Sequence, residues 1–130
     1  MKYAPLIGRI MFAAPFLMFG LGHLTDAQGM VDGGMVPSFL PAPTIVVYLT
    51  GILIIVGGVA VLLGYRTKLA ALVLAGFLLS TVLFVWGSGF MAGDQMATGM
   101  FMKDLGLAGA ALMMSHFGAG PNSMDAKAAE

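Results

Sequence analysis

Four apolar runs, each close to the length that crosses a bilayer, fill nearly all of this 130-residue chain, and its few charged residues stand at the ends of those runs. A hydrocarbon core of about 30 Å takes about 20 helical residues. In lipid every backbone N–H and C=O must be bonded within the protein, so each run is expected to be a helix. Residues are 59% hydrophobic and 9% charged, where a soluble domain carries about a quarter charged residues. No soluble domain is expected. The formal net charge of zero provides no basic face for nucleic acid, which is expected not to be a partner. Cysteine is absent, which excludes disulfide exchange, thiolate metal sites and iron–sulfur clusters held by this chain. Redox chemistry here would have to use a bound cofactor.

The spans are predicted at about residues 6–24, 44–63, 69–86 and 99–117, one four-helix domain over residues 1–117 followed by a short polar tail over 118–130. The second is free of charge, and Pro37, Pro41 and Pro43 prevent it from starting much earlier. The turn Gly64-Tyr65-Arg66-Thr67-Lys68 forces the second and third spans side by side and antiparallel. The first and fourth are short. Residues 10–22 between Arg9 and His23 are 13 uncharged positions, about 20 Å of helix at 1.5 Å per residue. The apolar run 105–117 is equally short, so a full crossing begins near 97–100 and draws Lys103 and Asp104 to the edge of the hydrocarbon, where ionisable groups mark function by default. Lys2 before an apolar run also suits a signal peptide, but no small-residue cleavage pattern follows, so the run is read as a retained helix. Pro15 predicts a kink in the first span.

Lys2, Arg9, Arg66, Lys68 and Lys127 fall on one side of the membrane if both termini are cytoplasmic, leaving Lys103 near the other face, which fixes the expected orientation. Trp86 and Phe90 then sit at the outer interface. Small residues four apart, at Ala60 and Gly64, Ala71 and Ala75, Gly76 and Ser80, and Gly106 and Ala110, favour close helix packing. The expected fold is an all-α, antiparallel four-transmembrane-helix bundle.

The outer polar layer holds His23, Asp26, Asp94, Lys103 and Asp104, and the candidate polar site is His23, Asp26, Lys103 and Asp104. His23 and Asp26, three apart, share a face if the first helix continues that far. Lys103 and Asp104 point about 100° apart and are expected to bond partners on different helices. Arg9 is read as a residue snorkelling to the cytoplasmic interface, where it could contact a lipid headgroup or a quinone. His23 and His116 lie at opposite ends of the bundle, which excludes one haem between them. Thioether sulfur suits Cu(I), so His23, Met96 and Met100 form a copper alternative, although methionine more often fills space.

The order of Gly8-Arg9-Ile10, Phe19-Gly20-Leu21-Gly22-His23-Leu24-Thr25-Asp26, Gly57-Gly58-Val59-Ala60-Val61-Leu62-Leu63-Gly64, Thr67-Lys68-Leu69-Ala70-Ala71 and Phe101-Met102-Lys103-Asp104-Leu105-Gly106-Leu107-Ala108-Gly109 resembles the DoxX family of small four-helix bacterial membrane proteins. The resemblance implies an inner-membrane location. It also implies a loose range of roles, from subunits of quinone-linked oxidoreductases, including thiosulfate oxidation, to companions of redox-stress proteins. Family members often carry lysine where this chain has His23, an acidic residue where it has Ile54, and histidine where it has Val85-Trp86. A catalytic role built on a carboxylate at position 54 is therefore not expected.

The preferred expectation is an accessory subunit of a larger respiratory or redox membrane complex, not catalytic on its own, with membrane lipid and other membrane subunits or further copies of the chain as partners. A quinone-linked oxidoreductase subunit using the outer polar layer is the alternative, with quinone as its ligand. A small oligomeric transporter or copper-handling protein ranks third.

Overall fold

A computed structural model describes residues 2–128, all helix and turn, with no strand among them. The elements are α1 (Ala4–Thr25), the short α2 (Ala27–Asp32), α3 (Pro43–Leu63), α4 (Thr67–Met91), α5 (Gln95–Phe117) and the short α6 (Met124–Ala128). Three of them, α1, α3 and α4, are long and apolar enough to cross a membrane. The fourth long helix, α5, has 23 residues but carries Lys103 and Asp104.

The boundaries differ from the sequence expectation chiefly where polar or proline residues begin a helix. Pro43 is the first residue of α3, a position where its missing N–H costs nothing. Helix α1 runs unbroken through Pro15. Helix α4 does not stop at Trp86. Its α-helical part, Thr67–Thr81, passes into a π-helical turn at Val82–Trp86 and resumes at Gly87–Met91. Its connection to α5 is thus three residues, 92–94, and not the longer one between the spans predicted at 69–86 and 99–117. Asp94 closes that turn by accepting the Met96 amide at 3.2 Å, capping α5. Phe90, expected at the lipid interface, stacks on Phe101 of α5 at 4.2 Å.

Two antiparallel hairpins make up the molecule: α1 lies along α3, and α4 lies along α5, with α3 and α4 joining them. Glycines set the first contact. A Cβ on Gly51 would stand 2.6 Å from His23 Cβ, and one on Gly20 would strike Ile55, so α1 and α3 approach at distances that side chains forbid. Of the small residues read from the sequence, Ala71 and Ala75 are buried, whereas Gly76 and Gly106 face open space. The core where the hairpins meet contains Phe12, Phe16, Ile54, Leu74, Leu78, Ala108 and Ala111. Outward positions of α3, at Ile45, Leu49, Ile52, Val56 and Val59, are exposed and apolar, as a lipid-facing surface requires.

The tail is not a loose polar segment. Arg9 is 2% exposed and does not snorkel. Its guanidinium donates to the carbonyls of Leu62 at 3.0 Å and Asn122 at 2.7 Å, tying the C-terminal end of α3 to the tail. The Leu62 carbonyl lies in the last turn of α3, where no i+4 amide of the helix reaches it, which is why a buried guanidinium is stable there. Asp125 completes the staple by accepting the amides of Arg66 at 2.7 Å and Thr67 at 2.9 Å, the orphan donors at the start of α4. Burial pushes its carboxyl up, but the Thr67 and Arg66 amides outweigh that and hold it below the usual aspartate value. Gly64, in the left-handed conformation at φ 71°, ends α3, and a Cβ there would strike Ser123 of the tail. Residues 129 and 130 of the expected tail lie outside the described residues.

Candidate functional site

Between the two hairpins, toward the end carrying His23 and the α4–α5 turn, lies a cavity of about 430 Å3. Each long helix contributes a wall. Pro15, Phe16, Phe19 and His23 come from α1; Val47, Thr50 and Ile54 from α3; Phe77, Thr81, Phe84 and Trp86 from α4; Met100, Lys103, Asp104 and Leu107 from α5. Met30 of α2 and the connecting residues Met35, Val36, Pro37, Phe39 and Leu40 roof it, with the Phe39 ring edge-on to Phe84 at 5.6 Å.

The polar groups gather on one wall. Asp104 is 7% exposed, and its Oδ2 accepts the Thr81 hydroxyl at 2.8 Å while Oδ1 stands 3.4 Å from Lys103 Nζ. The two neighbours were expected to seek partners on different helices. Asp104 does so through Thr81, but the long lysine side chain also folds back to pair with it, because a carboxylate in this setting needs a counter-charge. Lys103 Nζ further lies 4.5 Å from the centre of the Phe19 ring of α1 and 3.8 Å from the Met100 sulfur. Ammonium over an aromatic face is attractive, more so where water is scarce. The cavity thus holds one cation and one anion, neutral as a pair, with Ile54, 1% exposed, where a second carboxylate would otherwise face them.

His23 lines the same cavity, its Nδ1 2.6 Å from the Phe19 carbonyl, which leaves Nε2 for other partners. Asp26 does not join it. Helix α1 ends at Thr25, so the shared helical face is lost and Asp26 is exposed at the start of α2, outside the cavity lining. Met100 is in the cavity, but Met96 is 66% exposed and outside it, so the copper trio is not assembled. Arg9 is committed to backbone carbonyls away from the cavity. His116, at the other end of α5, packs edge-on against Phe117. No cluster of three or more His, Cys, Asp or Glu suited to a metal is present among the described residues.

Three cavity features were not read from the sequence. Thr81 and Thr50 are single hydroxyls in apolar runs, and nothing in their spacing says which neighbour they face. Trp86, expected at the outer interface, belongs to a π-helical turn, a form that recurs at functional sites, and lines the cavity.

Apolar helices of spanning length, nearly uncharged outer faces and an ionisable pair between the hairpins define a polytopic helical membrane protein with an internal cavity. The family profile for DoxX matches residues 4–87, and the chain belongs to the DoxX family. Inner membrane protein YqjF of Escherichia coli (strain K12) is 33% identical over 123 residues, covering 92% of this chain and 88% of that protein. No solved structure matches. The protein is a multi-pass inner-membrane protein. The profile match ends before α5, so Lys103 and Asp104 lie beyond it, whereas His23 and the aromatic wall of α4 up to Trp86 lie inside it.

Proposed function

We propose that this DoxX-family protein is a membrane subunit that seats a quinone ring between its two hairpins, within a larger redox complex that supplies the catalytic centres. The observation that carries the reading is the cavity: about 430 Å3, inside the range of small-molecule sites, with apolar walls and a few convergent polar groups. A quinone is a flat, neutral, apolar ring whose two carbonyls accept hydrogen bonds. Lys103 Nζ can donate to one carbonyl, and His23, whose Nδ1–H is held by the Phe19 carbonyl, presents Nε2 as an acceptor for a hydroxyl of the reduced quinol. Phe16, Phe19, Phe84 and Trp86 supply faces for the ring. A site whose own charges cancel suits a neutral ligand.

In this reading α5 is a fourth crossing, made possible because Lys103 and Asp104 satisfy each other inside the bundle. Both termini are cytoplasmic, with the Arg9–Asp125 staple on that side and the roofed cavity near the outer face. Partner subunits of the complex dock on the apolar outer faces. An accessory role without a ligand differs in what the purified protein holds. Solvent extraction of protein purified in mild detergent, followed by mass spectrometry, should recover a quinone from the wild type and several-fold less from Lys103→Ala. Quinone-free protein whose single tryptophan, Trp86, is not quenched by added decylubiquinone would refute the ligand and leave the packing subunit.

A further inference from the structure

The four long helices do not close into a ring. Helix α1 packs on α3, α3 on α4 and α4 on α5, but the backbones of α1 and α5 do not pack along each other, which leaves a seam between the outer edges of the two hairpins. Pro15 and Phe19 stand on its α1 side, and Met100, Lys103 and Leu107 on its α5 side, and the same residues line the cavity. At cavity level Lys103 Nζ reaches across the seam and lies above the Phe19 ring at 4.5 Å. Both residues remain substantially exposed, Phe19 at 48% and the Lys103 side chain at 37%. The other route, from the outer aqueous side, crosses the apolar roof, where Phe39 is set against Phe84.

We propose that the cavity is loaded sideways from the bilayer through the α1–α5 seam, with the Phe19–Lys103 contact as its gate, and that its ligand is a membrane-dissolved amphiphile. The ligand has a compact neutral head bearing a hydrogen-bond acceptor and an apolar tail that stays in the seam. Breaking the gate costs little, because a single cation–π contact is weak and the ammonium keeps Asp104 as its partner while the ring swings aside. An acceptor on the incoming head then takes the donor that Phe19 releases. The seam, lined by aromatic and aliphatic side chains, accommodates a hydrocarbon chain but offers a water-soluble molecule no hydrogen bonds. This deepens the quinone reading by naming its route, and it holds equally for a lipid with the same head chemistry.

The chain has no cysteine, so a single introduced thiol reports access. Thr50 lines the cavity from α3, and Thr50→Cys places the probe there. In proteoliposomes, a bilayer-dissolved maleimide should label this thiol at least 10-fold faster than a sulfonated, membrane-impermeant maleimide, and Phe19→Ala in the same background should speed the lipophilic reagent several-fold further. Equal or faster labelling by the charged reagent, no labelling by either in folded protein, or no effect of Phe19→Ala would each overturn lateral loading. Decylubiquinone and a diacylglycerol, whose neutral head bears ester carbonyls, serve as competitors. Protection by the quinone supports both readings. Lipophilic labelling that only the diacylglycerol blocks keeps the lateral entrance and removes the quinone.

Discussion

Arg9 shows how a residue's role depends on what surrounds it. A lone arginine one turn into a membrane helix is most simply placed with its charge at the headgroups, yet here it is 2% exposed and holds the carbonyls of Leu62 and Asn122. Arg9→Ala should leave those oxygens without donors and destabilise the protein by about 1–3 kcal/mol, read as a lower Tm in mild detergent. Arg9→Lys should recover less than half of the loss, because one ammonium cannot span carbonyls on two segments. Asp125 works at the same end. Its carboxyl lies below the ordinary value in the folded state, so its contribution is fully present above the unfolded pKa and disappears as pH falls through the folded one. Hydrogen exchange at the Arg66 and Thr67 amides, corrected for intrinsic rates, should be constant from pH 7 to 5 and lose protection only in strong acid. Asp125→Ala should abolish that protection at neutral pH. In the cavity, Lys103 and Asp104 were legible as out of place in lipid, but their partners Thr81 and Phe19 were not, since those contacts join residues far apart in the chain.

At the scale of elements, the helices themselves were readable because length and hydropathy act locally. Helix ends were less so: α3 starts at Pro43, close to where the prolines were read to hold it, but Asp94 caps α5 and α4 continues past Trp86 through a π-helical turn. The close approach of α1 and α3 rests on Gly20 and Gly51, which the four-residue spacing rule did not single out because they belong to different helices. Gly51→Ala would place its Cβ 2.6 Å from His23 Cβ, pushing the helices apart at a cost of about 1–3 kcal/mol. It should lower Tm and shift the Trp86 emission as the cavity changes shape. Gly106→Ala, with nothing within 4 Å of the new Cβ, should leave both unchanged, which makes it the matched control.

For the molecule as a whole, the basic residues outside Lys103 cluster with the Arg9–Asp125 staple, and the cavity lies at the other end. Reporter fusions test the orientation this implies: a fluorescent protein fused after Glu130 should light, and alkaline phosphatase there should stay inactive, with phosphatase active when inserted after Gly34 between α2 and α3. The reverse pattern would invert the topology. That the chain lives in a membrane as helices was legible from the residues alone, since an uninterrupted apolar run of about 20 residues satisfies its backbone in lipid by helical hydrogen bonds. The order of segments also carried the family. Folding alone settled that Arg9 and Asp125 are staples, that Asp26 and Met96 stand apart from His23, and that an ion pair, two threonines and six aromatic residues line one cavity. Those outcomes depend on which faces of different helices meet, and hydropathy along a single helix does not encode that pairing.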